Sequence, residues 1–503
     1  MRLIDMFNGE KIELACGAEN WTQEITGLSA DSRNVAPGYL FAALPGSHGD
    51  GRAFIADAIA GGARVILAPP GTDVETVRND VCILHDDNPR RRFALLAARF
   101  YAPAPQTVVA VTGTNAKTSV VTMVRQLWTR LGIDAASLGT LGLVSPRLNA
   151  PGMLTTPDPV ALYGALKSLA EDGVDHLAME ASSHGLAQYR LDGVRVRAGA
   201  FTNITRDHLD YHRTMAAYFD AKMRLFTDVV AADGAAVVNA DMKEAGQVAD
   251  ICRSRGLQVF SYGREGRDFR LIACRAEDDG LHATFEALGC RRDVALPLVG
   301  TFQALNALCA CALVVACGAR LEDALDALPA IEAVPGRMQR AGTTPGGARV
   351  YVDYAHTPDS LETALKALRP HTRGRLDVVF GCGGDRDKGK RGPMGEIACA
   401  LADRVVVTDD NPRFEDAAQI RQSVIAACPR ADDIADRALA IETAIGRLED
   451  GDVLLLAGKG HETVQIVGDR KIPFDDAAMA RAAIEKFRAA NILPRAGAAG
   501  GQR

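Results

Sequence analysis

The residues with the plainest chemical potential lie in Val108-Val-Ala-Val-Thr-Gly-Thr-Asn-Ala-Lys-Thr-Ser119. A β-branched run, a glycine turn at Gly113 and a helix-like stretch from Val120 to Leu131 read as strand, loop and helix. Such a loop aims backbone N–H groups and a helix N-terminus at one spot, which suits a phosphate. Lys117 would neutralise β/γ-phosphate charge and the Thr118 hydroxyl would ligate Mg²⁺. Gly113, Thr114, Asn115, Ala116, Lys117, Thr118 and Ser119 are therefore the expected ATP contacts. The general pattern carries glycine where Val111 and Ala116 stand. A methyl at position 116 requires negative φ there, or about 1 kcal/mol of strain. Taken alone, the loop also allows an ordinary strand-turn-helix with a surface lysine.

Two further polar loops follow strand-like runs, Glu180-Ala-Ser-Ser-His-Gly-Leu186 and Asn203-Ile-Thr-Arg-Asp-His-Leu-Asp-Tyr-His212. Parallel strands would deliver both to the edge that carries the phosphate loop, making Glu180 and His208 candidate Mg²⁺ ligands beside Thr118. A chance loop acid and a satisfied loop histidine are the plainer alternatives. Lys222, in Tyr218-Phe-Asp-Ala-Lys-Met-Arg-Leu-Phe226, reads by composition as a helix-surface lysine.

The elements that must position these groups follow from composition and punctuation. At 503 residues, roughly two to four domains are expected. The chain is 48% hydrophobic and 24% charged with net charge −6, which gives no support for nucleic-acid or anionic-membrane binding. Its 11 cysteines include no Cys-x-x-Cys pair, so reduced thiols in a cytoplasmic protein are expected. With Asp5 and Glu10 inside the first ten residues, no signal peptide is expected at the N-terminus. Val294 to Ala319 carries no charge, but Pro297, Gly300, Gln303 and Asn306 interrupt it. A strand end followed by a buried helix is expected there, not a membrane span.

Three blocks emerge. Residues 1 to about 101 form a small α/β unit, followed by the linker Ala102-Pro-Ala-Pro-Gln106. From Thr107, the runs VVAVTG, HLAMEAS, AGAFTNI and GAAVVNA alternate with helical stretches, as in a doubly wound, mostly parallel sheet. The third block begins near Val334-Pro-Gly-Arg337 and repeats the alternation with RVYVDY, LDVVFGCGG, RVVVTDD and DVLLLAGKG. Strands ending in Gly or Asp put functional loops at the carboxyl edge of a sheet.

The Thr-Gly-Thr-Asn-x-Lys-Thr wording resembles the Mur ligase family of ATP-dependent amide-forming enzymes, in which glycine is usual where Ala116 stands. The resemblance extends over nearly the whole chain. It implies an α/β protein of three domains: 1–101, binding a UDP-sugar; 107–333, binding ATP on a P-loop-type doubly wound sheet; and 334–494, a Rossmann-like amino-acid-binding domain. Residues 495–503 are expected to be a disordered tail. The catalytic set implied is Lys117, Lys222, His208 and Glu180. Lys222 would be carbamylated to N6-carboxylysine and join Thr118, Glu180 and His208 as metal ligands for Mg²⁺. A lysine in a crowded cationic site has a depressed pKa and a nucleophilic amine, which suits that modification.

The family's adenine-contacting Asn matches Asn306, and Gln303 stands where another Asn is usual. Arg337, Asp353 and His356 match further ATP and domain-closure positions, although Asp353 could simply cap the next helix. Ala30, Ser32, Ser47, His48 and Gly49 match the uridine pocket. Thr155, Thr156, Ser182, Gln188 and Arg190 match residues that hold the muramoyl peptide and diphosphate. Amino-acid choice in the family is read from Gly381–Arg391, Asp409–Arg413 and Gly458–Glu462. The Asp-Asn-Pro-Arg wording implies diaminopimelate, held by Arg386, Asp410, Asn411, Pro412, Arg413, Gly458 and Glu462. That substrate differs from lysine by one carboxylate, which a guanidinium fork reads.

The resemblance thus implies an ATP-dependent ligase adding diaminopimelate to a UDP-muramoyl dipeptide through an acyl phosphate, with closure of the third block excluding water. Its partners would be these small molecules, with no nucleic acid, no membrane span and a monomeric chain. A folylpolyglutamate-synthetase-like ligase shares the ATP core but lacks a uridine block. A P-loop kinase or nucleotide-gated binding module would need neither Lys222 nor the third block.

Overall fold

In the computed structural model, the β-branched runs become strands and the amphipathic stretches between them become helices. The structure describes residues 1–7, 14–15, 22–46, 49–72, 81–152, 154–278 and 280–492. Ser47, His48 and the 495–503 tail lie outside the described residues. The chain divides into two compact units, Met1–Arg267 with Cys309–Ala324, and Asp268–Leu308 with Leu325–Arg503.

The first unit begins with a five-stranded sheet in the order Leu14–Ala15, Cys82–His85, Val65–Ala68, Tyr39–Ala42, Gly27–Ser29. Only Leu14–Ala15 runs antiparallel to its neighbour. The helix Pro89–Phe100 has proline in its first turn and Asn88 as its cap, accepting the Arg91 N–H. It buries Phe93, Leu96 and Ala97 in a core with Leu40 and Leu67.

The same unit then builds parallel strands in the order Gln258–Gly263, Val230–Asn239, Val196–Phe201, Thr107–Thr112, His176–Glu180, Ala135–Gly139. Val108 to Val111 are all buried, which is why this strand reads as a continuous apolar run. Register pairs Glu180 with Val111 and Phe201 with Thr112. The loops after these three strands therefore leave the sheet at one level, beside the start of the helix Lys117–Arg130. That helix is pinned by buried Val120, Met123, Val124, Leu127 and Trp128.

The second unit opens on an antiparallel meander, Phe269–Glu277, Gly280–Ala287 and Cys290–Leu296; the helix Thr301–Ala316 that follows in sequence has its first part in this unit and its part from Cys309 in the first. The uncharged segment is thus a strand end and a helix, as expected, and no described helix is long and apolar enough to cross a membrane. A six-stranded sheet follows in the order Gln339–Thr343, Arg349–Asp353, Val453–Ala457, Leu376–Phe380, Arg404–Val407, Asp432–Asp433, parallel except for its first strand. The run DVLLLAGKG leads first into the hairpin Val464–Val467 and Arg470–Pro473, and only then into the helix Asp476–Ile492. The expectation of reduced thiols needs a correction. Nine described cysteines are free, but Cys82 is disulfide-bonded.

Candidate active site

The phosphate loop takes the strained option. Ala116 sits at φ 74, in the left-handed region, as the residue before the helix Lys117–Arg130. Asn115 N–H donates to Asn203 Oδ1 at 2.8 Å, which ties the loop to the end of the adjacent strand Val196–Phe201 and holds Ala116 there. Gly113 is obligatory, since a Cβ would collide with Thr202 Oγ1. Lys117 Nζ folds back onto the carbonyls of Gly113 and Thr114 at 2.9 and 2.8 Å. Thr118 Oγ1 donates to Glu180 Oε1 at 3.0 Å. The Glu180 carboxylate also accepts from Thr140 N–H at 2.7 Å and Thr140 Oγ1 at 3.2 Å, and packs where a side chain on Gly139 would stand.

Glu180 is 1% exposed and has no cationic partner among the described residues. A buried carboxylate held only by neutral donors is costly without a cation. With the Thr118 hydroxyl it forms a hard-oxygen donor set that suits Mg²⁺, an ion commonly bound by one or two carboxylates plus substrate phosphates. No group of three or more His, Cys, Asp or Glu that could hold a metal ion occurs among the described residues. His208 is exposed at the N-terminus of the helix Leu209–His212, with φ 53. Partial desolvation of its ring by the surrounding protein, and then the charges of Lys117 and Lys222, hold its pKa below the ordinary histidine value against the opposing pull of Asp207.

Lys222 is not a surface lysine. It is 1% exposed, donates to Gly113 O at 2.7 Å and lies 4.4 Å from the centre of the Tyr218 ring. Burial, and then the nearby Lys117 charge, push its pKa well below the usual lysine value. Tyr218, one helical turn before Lys222, shares a hydrogen bond of 3.1 Å with Thr114 Oγ1. Spacing by four residues on a helix is the signal that could have marked it.

Around the rim of this site, Thr156 Oγ1 donates to Glu180 O at 2.9 Å and accepts Ser182 N–H at 3.0 Å. Arg190 donates to Thr156 O at 2.5 Å and to Gln188 Oε1 at 2.7 Å, while Thr155 and Thr140 hydroxyls lie 3.2 Å apart. The expected peptide-binding group is therefore one connected network reaching Glu180. His184 was not anticipated. Its ring contacts those of His208, Tyr211 and His212 at 4.8, 4.2 and 5.4 Å. Earlier in the chain, Ala30 is exposed and Ser32 opens a short helix capped by Asp31, while Gly46 N–H donates to Gly49 O at 2.8 Å.

The second unit gathers the remaining candidates. Asn306 donates to Gln303 Oε1 at 2.9 Å, so the departure at position 303 leaves this pair hydrogen-bonded. Asp353 does not cap the following helix. Thr357 does, in a capping box with Ser360, whereas Asp353 accepts Met338 N–H at 2.7 Å. Burial raises the Asp353 pKa to about 6 against the opposing charge of Arg337. Arg337 lies over the Tyr354 ring at 4.6 Å and near His461 Nδ1 at 3.4 Å. The His356 ring nitrogen meets Tyr354 O at 2.8 Å.

At the carboxyl ends of the six-stranded sheet, the three amino-acid loops meet. Arg413 has φ 53, and its Nη1 donates to Gly384 O at 2.7 Å. Asp385 also has positive φ, and its N–H donates to Glu415 Oε1 at 2.6 Å. That bond, then Arg391, hold the Glu415 pKa down at about 2. Asp410 and Asn411 are buried, Gly458 passes so close that a Cβ would reach Asp410 Oδ2 at 2.8 Å, and Asn411 donates to Glu462 Oε2 at 2.8 Å. Pro412 O closes on Gly384 where a Cβ would collide. Arg386 is exposed and makes no hydrogen bond among the described residues. The residue missed here is Lys459, fully buried beneath Asn411 and Glu462.

The chain as a whole is similar to known proteins. Residues 24–101 match the model described as "Mur ligase family, catalytic domain", 111–314 the Mur ligase middle domain, and 336–460 the "Mur ligase, glutamate ligase domain". A UDP-N-acetylmuramoyl-L-alanyl-D-glutamate–2,6-diaminopimelate ligase of Bradyrhizobium diazoefficiens is 49% identical over 484 residues, 95% of this chain and 97% of its own. A solved structure of an enzyme of the same name superposes with TM-score 0.71 at 30% identity, over 97% of this chain and 99% of that one. A MurF ligase from Thermotoga maritima in complex with ADP shares the fold with TM-score 0.63 at 20% identity, over 92% and 98% of the two chains. The three-domain α/β architecture is thus that of these enzymes, and the chain belongs to the Mur ligase family and is a ligase.

Proposed function

We propose that this chain joins meso-2,6-diaminopimelate to UDP-N-acetylmuramoyl-L-alanyl-D-glutamate, with ATP cleaved to ADP and phosphate, as a cytoplasmic step of peptidoglycan precursor synthesis. The observation that carries the reading is the Arg413 loop. Arg413 has positive φ on the loop after the strand Arg404–Val407 and its guanidinium donates to Gly384 O, while the same loop carries buried Asp410, a set that suits a zwitterionic amino acid with an extra carboxylate. Residues 1–101 would take the uridine end, 107–333 ATP and the peptide, and 334–494 the amino acid.

In the first step an oxygen of the D-Glu side-chain carboxylate attacks the ATP γ-phosphorus and ADP leaves. In the second, a neutral diaminopimelate amine attacks the acyl carbon, phosphate leaves with the C–O bond electrons, and the nitrogen gives up a proton. Lys117 would turn from the carbonyls of Gly113 and Thr114 to the transferring phosphoryl group and stabilise its charge. The Thr156–Ser182–Arg190 network would orient the dipeptide. Thr118 and Glu180 would hold Mg²⁺, and His208 with carbamylated Lys222 a second ion. When bound, these ions neutralise phosphate charge. Burial keeps the Lys222 amine able to react with CO₂, its nitrogen bonding the carbon and releasing a proton.

Initial rates of ADP release with the UDP-dipeptide, ATP, and either diaminopimelate or lysine test the reading. Strong release with diaminopimelate and weak release with lysine are expected. Release with neither, or a preference for lysine, would overturn it.

A further inference from the structure

Lys459 is 0% exposed, and its ammonium donates to Asn411 Oδ1 at 3.1 Å, Glu462 Oε2 at 3.2 Å and Val464 O at 2.7 Å. Those partners take up all the hydrogen atoms an ammonium can offer. They belong to three segments: the Asp-Asn-Pro-Arg loop, the loop after the strand Val453–Ala457, and the strand Val464–Val467.

The bonds also settle the orientation of Asn411. Its Oδ1 faces two donors, Lys459 Nζ and the Ile466 N–H at 2.9 Å, so the amide cannot be flipped. Its Nδ2 is therefore fixed to donate to Glu462 Oε2 at 2.8 Å. Glu462 Oε2 thus accepts from both Lys459 and Asn411, whereas Glu462 Oε1 takes no hydrogen bond among the described residues. One carboxylate oxygen is held and the other left for a ligand.

We propose that Lys459 is a positioning residue for amino-acid selection: by holding Asn411 and Glu462 Oε2, it presents Glu462 Oε1 to the ammonium group of the incoming amino acid. The proposal rests on the amino-acid site described above. Lys459 does not touch substrate in this scheme.

The test is steady-state kinetics of Lys459→Met, which keeps the length and removes the charge, with Lys459→Gln as a second variant that retains donors. In each, KM for diaminopimelate should rise roughly 10- to 100-fold, the weight of a hydrogen bond to a charged group. KM for ATP and for the UDP-dipeptide should stay within about twofold of wild type. In a Glu462→Ala background the same Lys459→Met change should add less than about threefold, because Lys459 acts through Glu462.

Equal KM increases for all three substrates, full additivity with Glu462→Ala, or unchanged kinetics would each overturn the proposal. So would failure of both variants to fold, since Lys459 would then be a folding residue only. Wild-type enzyme that releases no ADP with diaminopimelate would refute the substrate reading itself, a result seen before any variant is made.

Discussion

Replacing Arg413 by alanine isolates the contact on which amino-acid choice should turn. In the structure Nη1 is bound to Gly384 O at 2.7 Å, and the rest of the guanidinium fork remains for a carboxylate. Loss of a charge-assisted bond costs roughly 1.5–3 kcal/mol, so KM for diaminopimelate should rise about 10- to 150-fold. Lysine lacks the second carboxylate and should lose little, so discrimination narrows without lysine becoming a good substrate while Arg386 is present. The substitution also strips the buried Gly384 carbonyl of a partner, worth roughly 1–3 kcal/mol of stability, so assays belong well below the melting transition. Alanine keeps a Cβ at φ 53, so backbone strain is nearly unchanged. Arg413→Lys should fall between, restoring charge but not the fork. The assay is initial rate against each of the three substrates. Equal KM increases for all three would mean that Arg413 only shapes the loop, and unchanged kinetics would refute the carboxylate contact.

Lys222→Ala should lose at least about 100-fold in ADP release and recover part of it with added formate or acetate; a fully active variant would contradict a role for the buried amine. Ala116→Gly relieves a left-handed alanine and should stabilise the protein by up to about 1 kcal/mol with KM for ATP little changed; a lower melting temperature would refute the strain. Asp353, raised to about 6 from 3.8, binds more protons folded than unfolded, so its stabilising share is full below about 3.8 and is lost as pH rises through about 6. Urea melts should therefore show Asp353→Asn gaining on wild type between those values, by up to about 3 kcal/mol, then levelling; a constant difference would contradict the buried acid.

What the sequence disclosed divides along physical lines. Strand and helix patterning placed Glu180 and His208 on loops after strands neighbouring the phosphate-loop strand, because parallel register is set by apolar runs such as Val108–Val111 that allow little else. Glycine at position 113 and the Lys117-Thr118 pair were legible because few other residues fit those tasks. Lys222 was not. Its helix turns an ordinary-looking mix of residues inward, and the contacts that hold its amine, with the Tyr218 ring and Gly113 O, are set by the fold. Asp353 misled in the opposite direction, since a carboxylate before a helix reads as a cap while Thr357 holds that position.

Lys459 shows the deeper limit. Its neighbours in sequence are glycines, which say that backbone passes closely, but not that an ammonium lies beneath. The partners that give it a purpose, Asn411 and Glu462, lie 48 and 3 residues away along the chain. Local pattern fixes which loops converge, whereas the protonation and orientation of the groups within them depend on pairings between loops. The polar side chains that hold other side chains in place are therefore the part of this site least visible before the fold is known. They are also where substitutions should alter selectivity while sparing the ATP chemistry.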